Sequence, residues 1–164
     1  MASGNTLLVL LPEQNRPPAS NYATIDSRNG HLCLDFDDTT QESAIFPFVM
    51  PRHYGGGGLT VYIHYAATSA ITGTAGFDVT IERVGDGQQD VDSDGFATAQ
   101  TVTAVTVPGT SGNIDIVNVA ITAGATGTDS IAAGEYGRLR LRRDVANDTA
   151  VGDIEVYAIE VKET

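Results

Sequence analysis

Gly134-Glu-Tyr-Gly-Arg-Leu-Arg-Leu-Arg-Arg-Asp144 and, after a short polar stretch, Gly152-Asp-Ile-Glu-Val-Tyr-Ala-Ile-Glu-Val161 decide the fold. In the first run Leu139 and Leu141 point one way and Arg138, Arg140 and Arg142 the other, with Arg143 extending the basic group. In the second, Ile154, Val156, Ala158 and Val161 mix with Glu155, Tyr157 and Glu160. A side-chain period of two gives each strand one buried face and one wet face.

The same grammar extends toward the N-terminus. Leu59–Ala67 alternates, with Leu59, Val61, Ile63 and Tyr65 on one face. Residues 76–84 alternate again, Phe77, Val79 and Ile81 against Asp78, Thr80 and Glu82. Residues 96–107 and 114–122 are rich in Thr, Val and Ala or Ile, with Pro108-Gly-Thr-Ser-Gly-Asn113 turning between them. Residues 23–26 and 31–36 flank Ser27-Arg-Asn-Gly30, whose Asn-Gly suits the positive φ angles of a tight hairpin. Residues 43–50 are apolar enough for burial on both faces, and Pro47 places that strand at an edge or a bulge. No apolar period of three to four residues is sustained anywhere, and no segment carries convincing helix caps. The expectation is an all-β antiparallel sandwich, a jelly roll of about nine strands in residues 23–164.

Residues 1–22 read as an N-terminal arm. Thr6, Leu7, Leu8, Val9, Leu10 and Leu11 form a short apolar strand, and Pro12-Glu-Gln-Asn-Arg-Pro-Pro-Ala-Ser20 follows as an extended tether. An apolar edge strand needs cover, either from its own sheet or from a neighbouring subunit. If the arm serves a partner, deleting residues 1–20 leaves a folded domain.

The 164 residues suit one domain that needs no staple. Cys33 is the single cysteine, so no intrachain disulfide forms, and His31-Leu-Cys-Leu-Asp-Phe36 presents it as a small buried apolar residue. The Leu7–Leu11 run is too short for a bilayer and lacks the flanks of a signal peptide, so the expectation is synthesis in a cytoplasm with no membrane partner. Net charge is −12, and Lys162 is the only lysine beside eight arginines. So acidic a chain repels phosphate backbones, which argues against nucleic acid as a partner.

Asp90-Val-Asp-Ser-Asp-Gly95 matches the first half of a calcium loop, so Asp90, Asp92 and Asp94 are candidate calcium ligands, the one cofactor the sequence suggests. Thr101 stands where a bidentate Glu would close such a loop, and the flanks read as strands, so a solvated acidic turn is the competing reading. Asp35, Asp37 and Asp38 cluster at a strand end, but neighbours on one strand rarely face each other across a cleft as acid–base chemistry requires. His31, His53 and His64 have no zinc spacing, and no Gly-x-Ser-x-Gly elbow is present. No catalytic residue is expected. The arginine stripe needs carboxylates: Glu155 and Glu160 on the following strand are one source, another subunit the other.

Several stretches carry a resemblance. They are the ending 132–144 with Asn147-Asp-Thr-Ala-Val-Gly-Asp153, Leu34-Asp-Phe36, Phe48-Val-Met-Pro51, the following Tyr-Gly-Gly, and Gly-Phe-Asp-Val-Thr-Ile81. Over residues 22–164 this pattern of strands and turns resembles single jelly-roll proteins of tailed bacteriophages, of the capsid cement or decoration kind. The resemblance implies a non-enzymatic structural protein on the capsid exterior of the virion. It also implies a homotrimer bound to the major capsid protein, with N-terminal arms reaching adjacent subunits. On that reading the contact residues are Thr6 to Leu11, the loop residues Arg52, His53 and Tyr54, and Arg138, Arg140 and Arg142. Similar modules occur in phage tail fibres, so the alternative is a receptor-binding jelly roll contacting carbohydrate. Such a module needs an exposed aromatic platform, and the chain has no Trp and 7% aromatic residues.

Overall fold

The computed structural model describes residues 4–164, so residues 1–3 of the expected arm lie outside it. Ten strands run through them: β1 (Thr6–Leu10), β2 (Thr24–Arg28), β3 (His31–Phe36), β4 (Ser43–Val49), β5 (Leu59–Ala67), β6 (Thr74–Val84), β7 (Gln100–Thr106), β8 (Asp115–Ile121), β9 (Tyr136–Arg143) and β10 (Ile154–Glu163). A single 3-10 turn, Pro12–Gln14, follows β1. The strands pack as two antiparallel sheets, a jelly-roll sandwich. One has the order β2-β3-β10-β5-β8 with β1 also on β10; the other runs β4-β9-β6-β7.

Alternation sets which side chains meet between the sheets. Leu59, Val61, Ile63 and Tyr65 of β5 meet Phe77, Val79 and Ile81 of β6 and Leu139 and Leu141 of β9 in one core. Tyr65 and Phe77 pack edge to face, ring centroids 5.2 Å apart. The Asn-Gly hairpin forms as expected: Asn29 has φ 49° and Gly30 φ 81°, joining β2 to β3. Pro47 lies on β4, at the edge of its sheet, where a missing N–H costs no ladder bond. Burial of β4 is less complete than its composition suggests. Ala44, Phe46 and Phe48 enter the core, but Val49 on the other face is 60% exposed.

Two expectations about the decisive stretch need correction. β9 and β10 follow each other in sequence but lie in different sheets, so Glu155 and Glu160 are not opposite the arginine stripe. Two of its three arginines are paired within the chain by β6 instead. Arg138 takes Glu82 in a bidentate grip (Nη2 to Oε1 2.6 Å), and Arg142 Nε lies 2.8 Å from Asp78. Arg143 does not extend the stripe. Strand alternation turns it inward with Leu139 and Leu141, where it is fully buried. Its Nε and Nη2 donate to Asp148 at 2.6 and 3.0 Å, and its guanidinium also donates to the carbonyls of Phe36, Ala150 and Gly152.

The arm also belongs to the body. Among the described residues, β1 pairs with β10 from Thr6↔Lys162 to Leu10↔Ile159, and Leu7 and Leu10 are buried in the core. Arg16 N–H donates to the Ile45 carbonyl at 2.7 Å, pinning the proline tether to the free edge of β4. The boundary expected at residue 22 is therefore not a structural one, and Thr6, Leu7, Leu8 and Leu10 are committed to the chain's own sheet. Val9 and Leu11 stay exposed. The physical reason is local: the Ile159–Lys162 edge of β10 is left open by β3, and the nearest apolar strand is tethered to the same molecule.

Candidate functional site

β10 holds its core phase with Ile154 and Val156, then with Ile159 and Val161. An even spacing would not allow both pairs to face inward. A bulge at Tyr157 and Ala158 resolves the conflict, where the register against β5 slips between Val156↔Tyr65 and Ala158↔His64. β3 leaves β10 before the bulge and β1 joins it after. The bulge thus delivers Tyr157 and Ala158 together to the outer face of the larger sheet, beside His64 of β5.

That face carries a cleft of about 600 Å³. His31, His64, Tyr157 and Ala158 line it from the strands, Asn29 from the β2–β3 turn, and residues 111–114 from the loop before β8. Ile114 and Ile116 stand exposed beside it. At one end the polar groups are tied into a network. Arg28 Nη1 donates to Glu155 at 2.8 Å, Arg28 Nη2 to Ser111 Oγ at 3.0 Å, and Tyr157 Oη to Glu155 at 2.9 Å. Glu155 is buried, so this ion pair is shielded from solvent on the carboxylate side. Gly112 makes room for it. Its φ is +78°, and a Cβ there would sit 2.8 Å from Arg28 Nη2.

Acidic neighbours shape the electrostatics under the cleft. Asp35 stands opposite Glu155 in the β3–β10 pairing. Burial first, then the charges of Asp153, Glu155, Asp26 and Glu42, push its carboxyl up to about 6. Its Oδ1 is buried with no hydrogen-bond partner. Cys33, between β2 and β10, has its thiol pushed up to about 11, mainly by burial. It is fully buried, as the sequence implies. Burial, and then the hydrogen bond to Glu155, raise the Tyr157 phenol, so it stays a neutral donor.

The residues singled out in the sequence fall elsewhere. Asp90, Asp92 and Asp94 do not converge. Asp90 Oδ1 accepts the Asp92 N–H and Asp94 Oδ1 the Gly95 N–H, so one oxygen of each closes the turn, while Asp94 Oδ2 is buried without a partner. Among the described residues the acidic groups that do come together are Asp37, Asp38 and Asp153, with ligand atoms within 4.8 Å of one another. Asp37 there accepts from Thr39 and Thr40, which hold its carboxyl down at about 2. Tyr54 is buried, its hydroxyl on the Gly57 carbonyl, while Arg52 and His53 are exposed. Arg138, Arg140 and Arg142 lie on the opposite sheet from the cleft. The sequence held two hints of the cleft: His64 and Tyr157 on polar faces of alternating strands, and the broken phase of β10. The contribution of Arg28, Asn29 and the loop 111–114 depends on how three distant segments meet.

No known protein-family pattern matches the sequence. No curated protein matches it either. Solved structures share its backbone. It is similar to a family 35 carbohydrate-binding module from an environmental isolate, with 14% identity and a TM-score of 0.56 over 94% of this chain and 92% of that one. The family 35 module of Abf62 from Cellvibrio japonicus gives 13% and 0.56 over 94% and 91%. The C-terminal family 6 module of LamC, a laminarinase of Zobellia galactanivorans, gives 15% and 0.52 over 97% and 100%. At these identities the likeness is one of fold.

Proposed function

We propose that this chain is a non-catalytic carbohydrate-binding module whose glycan lies in the cleft above β5 and β10. The bulge carries this reading: it sets Tyr157 next to His64 at the floor of a concave site walled by hydrogen-bonding side chains. Sugar rings present apolar C–H faces that rest on aromatic rings, and hydroxyls that need fixed donors and acceptors. Tyr157, His64 and His31 supply the rings, while Asn29, Asn113, Ser111 and the Arg28–Glu155 pair supply the polar contacts. The pair is already hydrogen-bonded, so little side-chain ordering is required on binding. The jelly-roll likeness to carbohydrate-binding modules supports this assignment.

The phage resemblance would place such a module on a tail fibre rather than on the head. The capsid-cement reading loses the feature that motivated it, since β1 is built into its own sheet. A glycan array followed by calorimetry tests the proposal. Tyr157→Ala and His64→Ala should each weaken the best glycan about tenfold or more while leaving the melting temperature within a few degrees of wild type. An array without hits, or binding indifferent to both substitutions, would remove the cleft from consideration. Co-sedimentation with phage heads instead would restore the capsid reading.

A further inference from the structure

The outer face of the smaller sheet carries an imbalance that the cleft does not use. Arg138, Arg140 and Arg142 project from it, and its buried carboxylates are Glu82 and Asp78. Those two carboxylates are held by Arg138 and Arg142. Among the described residues Arg140 has no carboxylate partner, and its Nε is buried without any hydrogen bond. Directly across the β6–β9 ladder from it stands Thr80. Thr80 is 1% exposed, and its Oγ1 is likewise buried and unpartnered. Facing residues of paired strands have Cβ atoms about 5 Å apart, so the two side chains leave neighbouring points on the same face. The surroundings sharpen the need. Burial first, then Arg142 and more weakly Arg138, disfavour the charge on Arg140, only partly offset by the attraction of Asp78. Phe96, from the stretch between β6 and β7, lies over the guanidiniums, 4.5 Å from Arg140 and 5.0 Å from Arg138.

We propose that Arg140 and Thr80 form a receptor for one small oxyanion, a carboxylate or a sulfate, with Phe96 as the cover that lifts to admit it. The Arg140 Nε–H can only donate, and the Thr80 hydroxyl can donate alongside it. An oxyanion accepts from both and also neutralises the third positive charge, which a water molecule would leave in place. The site lies on the sheet opposite the cleft and does not rest on the glycan reading.

The arginine Nε–Hε signals in an NMR titration read the site directly. Sodium acetate and sodium sulfate are added separately, against sodium chloride at matched ionic strength. The Arg140 signal should shift saturably with at least one oxyanion, while the signals of Arg138 and Arg142, locked on Glu82 and Asp78, shift less. Whichever salt saturates first names the preferred group. Thr80→Val should weaken binding about threefold to tenfold, as expected for one lost hydrogen bond. Phe96→Ala should strengthen or accelerate it by opening the site. A shift that chloride reproduces, that grows linearly without saturating, or that Thr80→Val leaves unchanged would overturn the proposal.

Discussion

Asp35 shows how one residue can oppose the fold that contains it. Its Oδ1 has no donor, and carboxylates surround it. With a carboxyl raised from 3.8 to about 6, the folded state holds the proton more tightly than the unfolded chain. The stabilisation from protonated Asp35 is therefore complete below about pH 3.8 and is lost as pH rises through 6. Urea denaturation at a series of pH values should show wild-type stability rising as pH falls from 7 to 5. Asp37 cannot mask this, because its lowered carboxyl loses its contribution only toward pH 2. Asp35→Asn should be more stable than wild type at pH 7 by on the order of 1 kcal/mol, after allowance for partial solvent contact, and should lack the rise. Arg143 acts in the opposite sense. Replacing it with Met would strand buried Asp148 and three backbone carbonyls. We expect a loss of about 3–5 kcal/mol, measured as a lower urea midpoint. Both roles were hidden in the sequence. Asp35 reads as a strand-end acid and Arg143 as one more stripe arginine, because burial of a charge depends on what lies across the sheet.

At the scale of the element, β1 is a stabilising strand rather than a free arm. Leu10 is 3% exposed in the core, so Leu10→Ala should cost about 2–4 kcal/mol in chemical denaturation. Removing residues 1–11 should lower the melting temperature sharply and leave the Ile159–Lys162 edge of β10 open. Increased light scattering on heating would report that exposed edge. A truncated chain that melts like wild type would return β1 to the role of an arm. The alternating strands and the Asn-Gly hairpin were legible because they follow from chain-local rules of period and φ angle. The pairing of β1 was not, since a short apolar strand looks the same whether its partner is its own sheet or a neighbour's. The bulge in β10 was half legible. Its phase break is visible between Val156 and Ile159, but its consequence appears only where His64 lies alongside.

Across the whole molecule, the two sheets divide the charged groups into separate faces. The net charge of −12 is carried by the protein as a whole, while the cleft is bordered by one ion pair, Arg28 with Glu155. Binding of a neutral glycan there should change less than about twofold between low and high salt in calorimetry, whereas an acidic polysaccharide should bind more weakly as salt is lowered. A steep salt dependence for a neutral glycan would place the contact elsewhere. Alternation, turn residues and composition act over a few neighbouring residues, which is why the fold class, most strand positions and the burial of Cys33 could be read from the chain. Packing across the sandwich set residues 136–143 and 154–163 in different sheets. Packing also sets Glu82 and Asp78, rather than Glu155 and Glu160, against Arg138 and Arg142, and brings Arg28, Asn29, His64 and Tyr157 to one cleft. Those outcomes depend on which strands become neighbours across long separations in the chain, and a period of two specifies a face without naming the partner that covers it.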